Sequence, residues 1–130
     1  MSEIFKISKD ERRASALKEM AKDRFLKMSS LKEPYRIIEE YYEIIKELLT
    51  SFMYLKGFKT LSHKALIEFS GENIKELSER EIKLIDELRV KRNDIVYYGE
   101  KVNLEFLEGR EETIRKLIKK LLEIVKIKNF

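Results

Sequence analysis

The sequence predicts an all-α protein, an antiparallel up-and-down bundle of four long helices plus one short helix. Apolar residues recur at three- and four-residue spacing over long stretches, the period of an amphipathic helix. Only four glycines and one proline interrupt 130 residues. Charged residues make up 40% and the hydrophobic set 43% of the chain, a balance that suits long helices with one apolar and one solvated face. A β-sandwich would need more turns than this. One domain over residues 1–130 is expected, because a chain of this length builds one core and is short for two.

The first helix is expected from about Lys9 to about Leu31, where Ala14, Leu17, Ala21, Phe25 and Met28 line one face and Ser29 and Ser30 mark a fraying end. Pro34 fits the first position of the second helix, since the N–H it lacks would be unpaired there in any case. That helix should reach Gly57. Its apolar residues, from Ile37 and Ile38 through Tyr41, Tyr42, Ile44, Ile45, Leu48 and Leu49 to Phe52 and Met53, cover about half the circumference, wider than one packing face needs. It is therefore expected at the centre of the bundle or also against another subunit, with Tyr41 and Tyr42 as core or dimer contacts.

Gly57 to Ser62 reads as a link, and SHKALIEFS, residues 62–70, as a short helix ended by Gly71. His63, the single imidazole, stands at its start, where a capping or surface role is expected. Ser78 and Glu81 form a capping box that opens the fourth helix, which should end near Gly99. The last helix opens near Asn103 or restarts after Gly109, where Glu111 and Glu112 suit a first turn. It continues through Ile114, Leu117, Ile118, Leu121, Leu122 and Val125 to a basic end at Lys126 and Lys128.

Charge and composition narrow the function classes. With 28 basic and 24 acidic residues the net charge is +4, which permits nucleic acid as a partner without demanding it. The absence of cysteine excludes disulfides and thiolate metal sites, and one histidine excludes a His-rich metal cage, so no metal and no cofactor are expected. The start, MSEIFKISKDERR, lacks the apolar segment of a signal peptide, and no run approaches ~18 apolar residues, so a cytoplasmic protein with no membrane contact is expected. Arg115, Lys116, Lys119 and Lys120 on the last helix read first as a solvated face and second as a phosphate-tracking surface.

One stretch breaks the pattern: LRVKRNDIVYYGEKV, residues 88–102. On the fourth helix's wheel Leu84, Ile85, Leu88, Ile95 and Val96 share an arc of about 120°, and Arg92 projects from its middle. Asp86, Arg89, Asn93 and Tyr97 form an adjoining polar stripe, and Arg89 and Arg92 are spaced to approach one phosphate together. Arg92 can instead extend over apolar neighbours and pair with Glu39, Glu40 or Glu43. Arg24 provides a comparison, since it too falls within an apolar arc.

RNDIVYYG, together with the upstream GFKTLSHKALIEFS and the order of helices, resembles the HEPN superfamily, small helical bundles associated with nucleotide binding. The resemblance covers roughly Arg13 to Val125. The family motif is an arginine, a polar residue and, a few residues on, a histidine; Arg92 and Asn93 match its opening, and Tyr97 stands where the histidine belongs. The resemblance implies a homodimer whose two fourth helices meet in a composite cleft. Arg92 and Tyr97 diverge by about 140° on a straight helix, which by itself argues that two chains are needed to converge them. In members that cut RNA without metal, histidine moves the proton and arginine offsets charge on the phosphorane. Tyr97, a phenol with an ordinary pKa of about 10, is a poor base and an available donor. Some relatives in toxin-antitoxin pairs carry a modified tyrosine two residues after the histidine; Gly99 holds that position here, and Tyr98 is out of register.

The expected function is accordingly a HEPN-like homodimeric binding module for nucleotide or RNA, catalytically impaired or inactive, partnered with a minimal nucleotidyltransferase. Arg89, Arg92, Asn93 and Tyr97 are the binding residues. One alternative is a metal-independent endoribonuclease of toxin-antitoxin type with Arg92 and Tyr97 in catalysis. Another is a purely structural helical interaction protein.

Overall fold

In the computed structural model, which describes residues 3–126, the chain is mostly helical. A short strand β1 (Ile4–Lys6) leads to α1 (Glu11–Leu26), a single 3₁₀ turn (Met28–Ser30) and α2 (Pro34–Lys56). Strand β2 (Phe58–Thr60), α3 (His63–Asn73), α4 (Glu79–Tyr98), α5 (Leu104–Glu108) and α6 (Glu111–Ile124) follow. No helix among the described residues is long and apolar enough to cross a membrane.

Helix α2 is the axis. It packs against α1, α3, α4, α5 and α6 and against β2, which explains why half its circumference is apolar. Ile38, Tyr41, Tyr42, Ile44, Ile45, Leu48, Leu49 and Met53 are all buried, each such side chain contributing on the order of 1.5–3 kcal/mol of transfer free energy. Ala14, Ala21 and Phe25 on α1, Ile85, Leu88 and Ile95 on α4, and Ile114, Leu117, Ile118 and Leu121 on α6 face the same core.

Local signals set several boundaries as expected. Pro34 opens α2, and Gly57 closes it in the left-handed conformation at φ 84°. At the start of α4 the Ser78 hydroxyl accepts from Glu81 N–H at 3.1 Å while the Glu81 carboxylate accepts from Ser78 N–H at 2.8 Å. Gly99, also left-handed at φ 63°, ends α4.

Other expectations are corrected. The first helix is shorter than Lys9–Leu31: Asp10 caps it through Arg13 N–H, and a 3₁₀ turn replaces its last residues. The segment from Gly57 to Ser62 is not merely a link, because Phe58–Thr60 pairs antiparallel with Ile4–Lys6. Two three-residue strands are too short to show a period, and their pairing is set by Gly57, whose carbonyl accepts from Ile7 N–H at 2.8 Å. Gly71 does not end α3 but lies within it, facing Ile82 of α4, where a Cβ would sit at an ordinary contact distance of 3.5 Å. The two proposed starts of the last helix are both used, Asn103 capping α5 and Glu111 opening α6. The result is six helices among the described residues and not five. Helix α6 ends at Ile124, before Lys126, and Lys128 lies outside the described residues.

Candidate functional site around Arg92

Arg92 leaves α4 on the side facing α2 and is half-buried. Its Nη1 donates to Asn93 Oδ1 at 3.1 Å. Its guanidinium carbon lies 6.0 Å from the Tyr42 ring centroid and 5.9 Å from that of Tyr97. The cleft it enters, about 340 Å³, is also lined by Arg24, Arg36, Glu39, Glu40 and Glu43.

Despite that acidic wall, the expected pairing of Arg92 with Glu39, Glu40 or Glu43 does not occur; among the described residues Arg92 has no carboxylate within ion-pair distance. Two of the three expected partners, Glu40 and Glu43, are already engaged. Arg24 reaches across from α1 to Glu40 at 2.9 Å and to Glu47 at 3.1 Å, and Lys46 holds Glu43 at 2.9 Å. Two arginines thus interrupt apolar arcs with different outcomes: Arg24 is paired with carboxylates, and Arg92, among the described residues, is not.

Away from the acidic wall, Arg92 has a second arginine and two aromatic rings as neighbours. Arg89, on the next turn, is held by Asp86 at 2.8 Å. Tyr42 is buried, and desolvation pushes its pKa up to about 12 while Arg89 and Arg92 pull the other way. The phenol therefore keeps its proton at neutral pH. Its hydroxyl lies 3.1 Å from His63 Nδ1, and the two rings are 5.7 Å apart. Burial lowers the pKa of His63 first, with Lys46, Arg92 and Arg89 adding to the effect against Glu43, so its imidazole is neutral. With Nδ1–H donating to the phenol oxygen, Nε2 presents a lone pair; with Tyr42 donating, Nε2 presents an N–H.

The expected site residues divide into those inside this cluster and those at its edge. Arg89, Arg92 and Asn93 sit together, and Tyr97, 67% exposed, covers the outer side of Arg92. The inference from helix geometry that Arg92 and Tyr97 require two chains to meet is corrected: the long arginine stem runs along the helix and brings its guanidinium against the Tyr97 ring within one chain. Val96 is also corrected, since at 46% exposure it belongs to the outer surface near Tyr97 and not to the core arc. Tyr98, the last residue of α4, is exposed as well.

His63 and Tyr42 are the site residues that sequence reasoning placed elsewhere. The capping role at the start of α3 belongs to Ser62, whose hydroxyl accepts from Ala65 N–H. That leaves His63 free to turn toward α2. The available signal was Tyr42 itself, since a tyrosine in the middle of a buried face needs a partner for its hydroxyl.

The basic residues of α6 form a less coherent surface. Arg115 lies over the Phe25 ring and donates to the Tyr41 hydroxyl, Lys116 pairs with Glu112, and Lys120 pairs with Glu81. Three of its four cations are thus engaged locally. Among the described residues no group of three or more acidic, histidine or cysteine side chains is arranged to hold a metal ion.

No protein-family model, characterised protein or solved structure matches the chain.

Proposed function

We propose that this protein is a HEPN-like homodimeric module that binds the phosphate of a nucleotide or RNA through Arg92. Arg89 and Asn93 assist from α4, Tyr97 stacks at the rim, and a minimal nucleotidyltransferase is its functional partner. The observation that carries the reading is the half-buried Arg92 guanidinium, which among the described residues has no carboxylate partner although an acidic cleft adjoins it. A guanidinium without a carboxylate partner keeps its paired donors available to phosphate oxygens. Fluorescence anisotropy with labelled single-stranded RNA and with nucleotides tests it. Binding should weaken with salt and fall about tenfold or more in Arg92→Ala; indifference to both excludes this site. Sedimentation tests the dimer, which a strict monomer at micromolar concentration excludes.

The neutral His63, which touches the Tyr42 side chain that also neighbours Arg92, favours a second reading, a metal-independent endoribonuclease. The 2′-OH would attack the adjacent phosphorus and pass its proton to His63 Nε2. The P–O5′ bond then breaks, and the leaving oxygen takes a proton from the Tyr97 hydroxyl. Cleavage of labelled RNA in EDTA that disappears in both Arg92→Ala and His63→Gln supports this chemistry. No cleavage by the wild type at high protein concentration removes it.

A further inference from the structure

Beside the Arg92 cluster lies a second cavity of about 320 Å³, bounded by α1, α2 and the turn into α3, within the range of small-ligand sites. Leu17, Tyr54 and Leu66 give it apolar walls, and His63 and Glu47 supply polar groups. Glu47 is unusual there. It is only 4% exposed, and among the described residues its Oε1 and the Arg24 Nε that faces it at 3.1 Å are both buried and both without a hydrogen bond. Arg24 balances its charge, but its directional accepting capacity is unused. Burial raises its pKa above the ordinary 4.5, with Arg24 as the main counterweight.

The two cavities adjoin. Glu43 lines both, its charge taken by Lys46, and His63 connects them, touching Tyr42 on one side and lining the second cavity on the other. The chain of contacts from the second cavity to the cation runs through His63 and Tyr42, with ring spacings of 5.7 Å from His63 to Tyr42 and 6.0 Å from Tyr42 to the Arg92 guanidinium.

We propose that this second cavity is a guanine subsite. The base inserts between Leu17, Tyr54 and Leu66, its N1–H and N2 amino donors meeting the Glu47 carboxylate, while its phosphate rests on Arg92. A carboxylate only accepts. Guanine presents two adjacent donors on one edge, whereas adenine, cytosine and uracil all set an acceptor beside their donor and would face the carboxylate with a lone pair. The assignment rests on the phosphate-binding reading of Arg92, and it applies equally to a free guanine nucleotide and to a guanine within RNA.

Calorimetric titration with GMP, AMP and ribose 5-phosphate tests it. GMP should bind about tenfold more tightly than either of the others, and Glu47→Gln should reduce it to the AMP level while leaving ribose 5-phosphate unchanged. Because Glu47→Gln disturbs Arg24, a second variant is needed. Thr50→Phe, at a partly exposed position on the cavity wall, should fill the space and abolish the guanine preference alone. Equal affinity for GMP and AMP in the wild type, or a preference that survives Thr50→Phe, overturns the subsite. Ribose 5-phosphate binding that Arg92→Ala leaves unchanged instead refutes the phosphate site. An oligoadenylate carrying one guanine identifies the source: tighter binding than the all-adenine strand supports RNA, and a GMP preference with no gain in the strand supports a free nucleotide.

Discussion

Replacing Arg24 by alanine should cost about 2 kcal/mol of stability, whereas replacing Arg92 should cost about 0.5–1 kcal/mol. Arg24 is the only cation within ion-pair distance of Glu47 among the described residues, and Glu47 is buried. Removing one partner of a fully buried pair costs about 3–5 kcal/mol. Water reaches the Arg24 side chain, 34% exposed, and its second partner Glu40, which brings the figure down toward about 2 kcal/mol. Among the described residues Arg92 has no carboxylate to lose. Its truncation removes two long cation–π contacts, worth about 0.5 kcal/mol each, and relieves repulsion with Arg89. Urea denaturation measures both. With a slope of about 1–3 kcal/mol per molar, Arg24→Ala should lower the midpoint by about 1 M and Arg92→Ala by much less. Adding Glu47→Gln to Arg24→Ala should recover much of the loss, because it removes the stranded charge. RNA or nucleotide affinity should follow the opposite order, falling with Arg92→Ala. If Arg92→Ala is as destabilising as Arg24→Ala and leaves binding intact, Arg92 is a structural residue and the contrast drawn between the two arginines is wrong.

Two further outcomes follow from other parts of the structure. His63 has a folded-state pKa below its ordinary 6.5, so between those values the unfolded chain binds the extra proton; its stabilising contribution is present above pH 6.5 and is lost as pH falls through the folded value. The stability of the wild type should therefore decline relative to His63→Gln between pH 7.5 and pH 5, and parallel curves would show that the imidazole is not desolvated. Gly57→Ala places a Cβ 3.0 Å from Ile7 O at a positive φ. It should cost about 1–2 kcal/mol by thermal or urea unfolding, with early hydrogen exchange at Ile7 N–H; an unchanged midpoint would refute the role given to that turn.

Much of the helical framework was legible in local chemistry. Pro34 and Gly57 bound α2, the reciprocal Ser78–Glu81 bonds start α4, and Gly99 ends it, because each signal acts within one turn of backbone. The breadth of the apolar face on α2 likewise announced a central helix. Arg92 was conspicuous for the same reason, as a charge within an apolar period.

What only the tertiary structure decided was partnership between elements. Periodicity on α4 could not show that Arg24 would reach across from α1 to Glu40 and Glu47, or that among the described residues Arg92 would be left without a carboxylate. It could not bring His63 to Tyr42, place Gly71 against Ile82, or pair β1 with β2, since each contact joins segments far apart in the chain. Helical angles are intrinsic to the backbone and can be read along it. Whether a charge is neutralised, and whether a buried hydroxyl finds an imidazole, depends on what the other helices bring within a few ångströms, and that is settled only when the core closes.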